Sequence, residues 1–148
     1  MPRILTAVFL VAASVASSAA AERPAGVTVE QAWSRPAASG TTGVGYLTLV
    51  NRSRDGRSLV KVESPWATRG EMHLSATTGG VMRMASERAV SITPGRTVFA
   101  PGGRHLMFVG LKRPLAPGDR LPATLTFGDG TRLKVTFAVG DGLGPPSK

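Results

Sequence analysis

The sequence predicts an all-β fold, an antiparallel β-sandwich in a single domain, and three observations carry that expectation. Short apolar or alternating runs succeed one another along most of the chain, and turn signals rich in glycine and proline separate them at intervals suited to short strands. No stretch carries the apolar periodicity of a long helix. With 148 residues, 42% of them hydrophobic, the chain can bury one core, and no second domain is expected.

Taken in order, the chain opens with a short positive start, Met1-Pro2-Arg3, a mostly apolar run from Ile4 to Ala16, and the small residues Ala19-Ala20-Ala21. This pattern predicts a secretory signal peptide over residues 1–21, cleaved after Ala21, and hence an exported, periplasmic protein. The apolar run is shorter than the roughly 20 residues a bilayer span needs, so no membrane span is expected there or elsewhere. Residues 22–148 then form the mature domain. Strands are expected at Val27 to Trp33, Val44 to Val50, Ser58 to Val62, Glu71 to Ser75, Val81 to Met84, Val98 to Ala100, His105 to Leu111, Leu121 to Phe127 and Arg132 to Val139. Turns fall at Asn51 to Gly56, Pro94-Gly95, Pro101-Gly102-Gly103, Pro117-Gly118-Asp119 and Gly128-Asp129-Gly130. Glu87 to Val90 has the length of one helical turn, and Glu22 to Gly26 and Gly140 to Lys148 read as loose ends. Trp33, Tyr46 and Phe127 each sit in a strand-like run and are expected in the core.

The formal charge is +9, and loss of a leader containing Arg3 leaves 17 basic against 9 acidic residues, or +8. The arginines are scattered over turns and aromatic residues are few, which argues against nucleic acid as a partner. A basic surface of this kind steers a protein towards anionic membranes or an acidic partner, in a manner that salt weakens. No cysteine is present, which excludes a lipid-modified cysteine, a disulfide and a thiolate copper centre of the blue-copper kind. The carboxylates do not cluster, the serines and histidines form no Ser-His-acid context, and no glycine loop leads into a helix, so no enzymatic activity is expected.

The stretch from Met72 to Met107 holds both histidines and all the methionines beyond the first residue. In Arg104-His105-Leu106-Met107-Phe108, strand geometry sends His105 and Met107 to one face, with Cα atoms roughly 6 to 7 Å apart, and Leu106 to the other. His73 and Met84 flank Thr77-Thr78-Gly79-Gly80, a hairpin signal. A two-residue turn at Thr78-Gly79 would set His73 opposite Met84. A turn at Gly79-Gly80 would instead set Ser75 opposite Met84 and leave His73 diagonal to it on the same face. The Thr78-Gly79 turn is the favoured register. Two imidazoles and two thioethers are neutral donors, and thioether sulfur suits copper(I) far better than zinc, calcium or magnesium.

Glu71-Met72-His73, Gly80-Val81-Met82-Arg83-Met84 and Pro101-Gly102-Gly103-Arg104-His105-Leu106-Met107 resemble the periplasmic copper chaperone family called PCuAC. So do Ala32-Trp33-Ser34-Arg35-Pro36, Gly45 to Asn51, Gly110-Leu111-Lys112 and Thr124 to Phe127, and the likeness runs from about Val27 to Val139. It implies a cupredoxin-like sandwich carrying copper(I) on His73, Met84, His105 and Met107, with Met72 and Met82 as packing residues. It also implies delivery of copper, by a protein expected to be a monomer, to the dinuclear copper site of cytochrome c oxidase, alongside thioredoxin-like copper proteins of the Sco type. The segment between Met84 and His105 is one residue shorter than is usual in the family, and the tail from Asp141 to Lys148 lacks a His- and Met-rich extension. The rival expectations are a periplasmic copper buffer for tolerance, with the same ligands, and a metal-free adhesion or scaffold module in which the methionines only pack.

Overall fold

The computed structural model describes residues 24–142 and 144–146, so the predicted signal peptide lies outside the described residues. Ten strands follow one another: β1 (Val27–Ser34), β2 (Gly43–Asn51), β3 (Arg57–Glu63), β4 (Ala67–Thr78), β5 (Val81–Ser86), β6 (Val90–Ile92), β7 (Gly95–Phe99), β8 (Arg104–Leu111), β9 (Arg120–Phe127) and β10 (Arg132–Val139). They form one hydrogen-bonded path in the order β5-β4-β8-β2-β1-β10-β9-β3-β6. β2 gives one edge to two partners, pairing with β8 at Gly43 to Gly45 and with β7 at Leu47 to Asn51. All pairs of strands are antiparallel except β1 with β10, joined at Trp33–Ala138 and Ser34–Val139.

The path folds back on itself around one core. Leu47, Leu49, Leu59, Phe99, Leu106, Phe108, Leu121, Leu125, Phe127 and Phe137 meet there from strands spread over its whole length. β3 and β4, which lie far apart along the path, come together at Gly70, where a Cβ would overlap the Val62 carbonyl. Only glycine permits so close an approach of two backbones.

Three sequence expectations change, while Trp33 and Tyr46 are buried as expected but pack beside the central cluster. Val90 and Ile92 are buried with exposed Ser91 between them, and this period of two makes Val90–Ile92 a strand paired with β3 instead of the end of a helical turn. Trp33 and Tyr46 stack on each other with centroids 4.6 Å apart, outside the main core cluster. They are buried beneath Arg35, whose guanidinium lies 5.8 and 5.5 Å from the two rings. β4 runs through twelve residues, well beyond Glu71 to Ser75, because both its edges are paired, by β5 and by β8. Finally, the described ends are not loose: the Val27 N–H donates to the Pro24 carbonyl at 3.3 Å and the Gly140 N–H to the Ser34 carbonyl at 3.0 Å.

Candidate metal centre

β4 lies between β5 and β8, and the outer face of this three-strand unit gathers every residue singled out from the sequence as a ligand. Alternation along β8 drives Leu106 and Phe108 fully into the core and sends His105 and Met107 to the opposite side. The same alternation along β4 buries Met72 in the core and puts Glu71, His73 and Ser75 on the outer face. His73 is the direct cross-strand partner of His105, and Glu71 that of Met107. Directly opposed side chains share a face, so the two imidazoles lie side by side, their centroids 5.9 Å apart and their planes tilted by 37°.

The β4–β5 hairpin takes the other of the two registers. Gly79 and Gly80, with φ of 58° and 76°, are the two turn residues, Thr78 pairs with Val81, and Ser75 pairs with Met84. A two-residue turn of this kind asks both central residues for positive φ, which two glycines adopt without cost and the β-branched Thr78 would resist. His73 accordingly faces Ser86, and Met84 lies diagonal to it on the shared face, where such neighbours are about 7 to 8 Å apart. Met82 is not a packing residue, being 65% exposed on that same face, and Met84 is 56% exposed. Met72 does pack, as expected.

Burial divides the four side chains. His105 is 6% exposed and the His73 side chain 15%, Met107 is half-buried, and Met84 opens to solvent on the edge strand β5. The site is therefore closed on the histidine side and accessible on the Met84 side.

Hydrogen bonds fix the imidazoles. Nδ1 of His105 lies 3.0 Å from the Gly103 carbonyl, which can only accept, so in the neutral ring Nδ1 carries the proton and Nε2 keeps its lone pair. The same carbonyl accepts from the Ser75 N–H at 3.1 Å, which ties the Pro101-Gly102-Gly103 turn to β4. Nε2 of His73 lies 2.9 Å from a Glu71 carboxylate oxygen, and its Nδ1 is buried with no hydrogen-bond partner. Arg69 donates from Nε to the other Glu71 oxygen at 2.7 Å. This bond, and after it the one from His73, holds the Glu71 carboxyl below its ordinary value. Close by, Arg104 on β8 grips Glu87 through two bonds of 2.9 and 3.1 Å and so anchors the segment that follows β5.

The donor set fits a soft monovalent cation. It offers two imidazole lone pairs and two thioethers, all neutral, and one of those lone pairs, on Nδ1 of His73, belongs to a buried nitrogen whose hydrogen-bonding capacity is otherwise unmet. Among the described residues no group of three or more His, Cys, Asp or Glu side chains is placed to hold a metal, so a hard-ligand cage is not what this face provides. The sequence reading missed Glu71, Arg69 and the Gly103 carbonyl. The first two left a signal in the alternation Arg69-x-Glu71-x-His73, which puts a cation, a carboxylate and an imidazole on one strand face.

Comparison with known proteins agrees with this architecture. Residues 27–139 match the family described as "LpqE-like: Putative lipoprotein LpqE-like". "Putative lipoprotein Lxx21020" of Leifsonia xyli subsp. xyli is 34% identical over 118 residues, which cover 78% of this chain and 70% of that protein. Among solved structures, the copper-bound PCuAC domain from PmoF2 superposes with a TM-score of 0.66 at 24% identity, over 78% of this chain and 93% of the domain. The copper(I) form of DR1885 from Deinococcus radiodurans superposes with a TM-score of 0.56 at 28% identity, over 76% of this chain and 78% of that one. The cupredoxin-like β fold and the match across residues 27–139 lead to one conclusion: the chain belongs to the LpqE-like family, the family of the PCuAC domains.

Proposed function

We propose that this protein is an exported copper chaperone that binds one copper(I) through His73, Met84, His105 and Met107. It hands the ion to an extracytoplasmic acceptor, the dinuclear copper site of cytochrome c oxidase, in company with thioredoxin-like proteins of the Sco type. The observation that carries this reading is the direct pairing of His73 with His105, their rings 5.9 Å apart, on the face that also bears Met84 and Met107. Four neutral donors leave the charge of copper(I) uncompensated and hold it through soft sulfur and imidazole, which disfavours hard divalent cations. The copper(I) form of DR1885 supports the choice of ion.

The exposure of Met84 suits transfer by ligand exchange. An incoming donor can replace the outermost thioether while the two histidines and Met107 still hold the ion. Export is supported by the predicted leader and by the lipoprotein descriptions of the family and of the Leifsonia relative. The basic surface would raise the rate of encounter with an acidic partner. The test is direct transfer: copper(I)-loaded protein is mixed with the soluble copper domain of the oxidase, and the metal is followed between them. Delivery predicts transfer faster than copper release to a small chelator of matched affinity. Equal rates would mean a buffer in place of a chaperone.

A further inference from the structure

We infer that Glu71, held by Arg69, is a positioning residue that fixes the ring of His73 so that Nδ1, and not Nε2, is the nitrogen presented to the metal. The inference rests on the copper reading given above and adds to it a residue outside the ligand set and a choice of donor atom.

Three observations carry it. Nε2 of His73 lies 2.9 Å from Glu71, and a carboxylate can only accept, so that nitrogen bears the proton. Nδ1 is then the lone-pair atom, and it is buried with no partner in the protein. A buried polar atom without a hydrogen bond is costly, and a bound cation is what would satisfy a lone pair there. The carboxylate itself is held on its far oxygen by the Arg69 guanidinium at 2.7 Å, so the chain from Arg69 through Glu71 to His73 is a line of fixed bonds along one strand face.

The two histidines are thus oriented by different means. His105 is set by a backbone carbonyl and offers Nε2, whereas His73 is set by a carboxylate and offers Nδ1. A carboxylate behind a ligating imidazole fixes its ring and raises its basicity, and loss of such a partner typically costs 10–100-fold in metal affinity. Glu71 does not compete for the ion, since a hard oxygen is a poor donor to copper(I).

The experiment uses the mature protein labelled with ¹⁵N, as wild type and as the Glu71→Gln and Glu71→Ala variants. Long-range ¹H–¹⁵N spectra recorded before and after addition of one equivalent of copper(I) identify which ring nitrogen of each histidine moves. The expected result is a shift of Nδ1 in His73 and of Nε2 in His105. Glu71→Ala should lose roughly tenfold or more in copper(I) affinity. Glu71→Gln, whose amide oxygen still accepts from Nε2, should stay closer to wild type. A shift at Nε2 of His73, or wild-type affinity in Glu71→Ala, overturns the role of Glu71 alone. If wild type takes up no copper(I) while the spectra of the metal-free protein show Nε2 of His73 protonated, the copper reading falls instead, and the role of Glu71 towards a metal with it.

Discussion

Replacing Met84 and Met82 one at a time by alanine separates ligation from packing more cleanly than any other pair of substitutions in this fold. Both side chains lie on β5, both face outwards, and both are more than half exposed, at 56% and 65%. Neither substitution removes core contacts, so each should change stability by no more than about 0.5 kcal/mol. Their distances from the histidines differ. Met84 pairs with Ser75 and so lies one diagonal step from His73, about 7 to 8 Å away. Met82 pairs with Thr77, four residues along β4 from His73, or roughly 13 Å at the rise of a strand. An unbranched thioether spans the first gap to a shared ion and not the second. Because an outer-shell partner alone is worth 10–100-fold, loss of the Met84 ligand should weaken copper(I) binding at least about tenfold, or about 1.4 kcal/mol. Met82→Ala should leave the affinity near that of wild type. Competition titration against a colorimetric copper(I) chelator measures both, with chemical denaturation as the check on folding. Equal losses, or a larger loss for Met82→Ala, would refute the assignment of Met84.

Other perturbations test the frame that holds the site. Leu106→Ala, between His105 and Met107 but buried in the core, should cost about 2 to 5 kcal/mol in denaturant unfolding, a loss that copper(I) binding partly offsets. Gly70→Ala should destabilise the fold through its overlap with the Val62 carbonyl, seen as a lower thermal midpoint. Copper(I) affinity should fall on acidification, because a ligating imidazole must be neutral, and His73→Met with His105→Met should flatten that dependence in chelator titrations. Stability should also fall in acid. The carboxyls of Glu71, held by Arg69 and then His73, and of Asp129, held first by Thr131, lie below their ordinary values in the folded state. Their contribution is present above the ordinary carboxylate range of about 4 and is lost as pH falls below it, which denaturation midpoints recorded across that range would show.

The sequence was informative where one residue pattern admits one geometry. His105-Leu106-Met107 on a strand can only put its first and third residues on one side, and Leu106 in the core secured which side. The runs around Leu47, Leu125 and Phe137 likewise gave their strands to within a residue or two. The hairpin was less legible, since Thr78-Gly79 and Gly79-Gly80 both read as turns and the choice moves every cross-strand partner. It falls to the pair of glycines because both positions demand positive φ. The pairing of β4 with β8, which sets His73 against His105, joins segments some thirty residues apart, and no local pattern encodes it. Nor does local pattern reveal Arg35 closing over Trp33 and Tyr46, since that depends on which face of β1 and β2 lies away from the core.

Copper stoichiometry of the mature protein is the most direct test of the central claim. Anaerobic titration with copper(I), read by competition and by metal analysis after gel filtration, should give about one ion per chain for the wild type, since one set of soft donors converges on this face. The same titration of the double variant His105→Ala with Met107→Ala should give close to none. A wild-type value near zero, or a double variant that still retains one copper(I) per chain, would contradict the account.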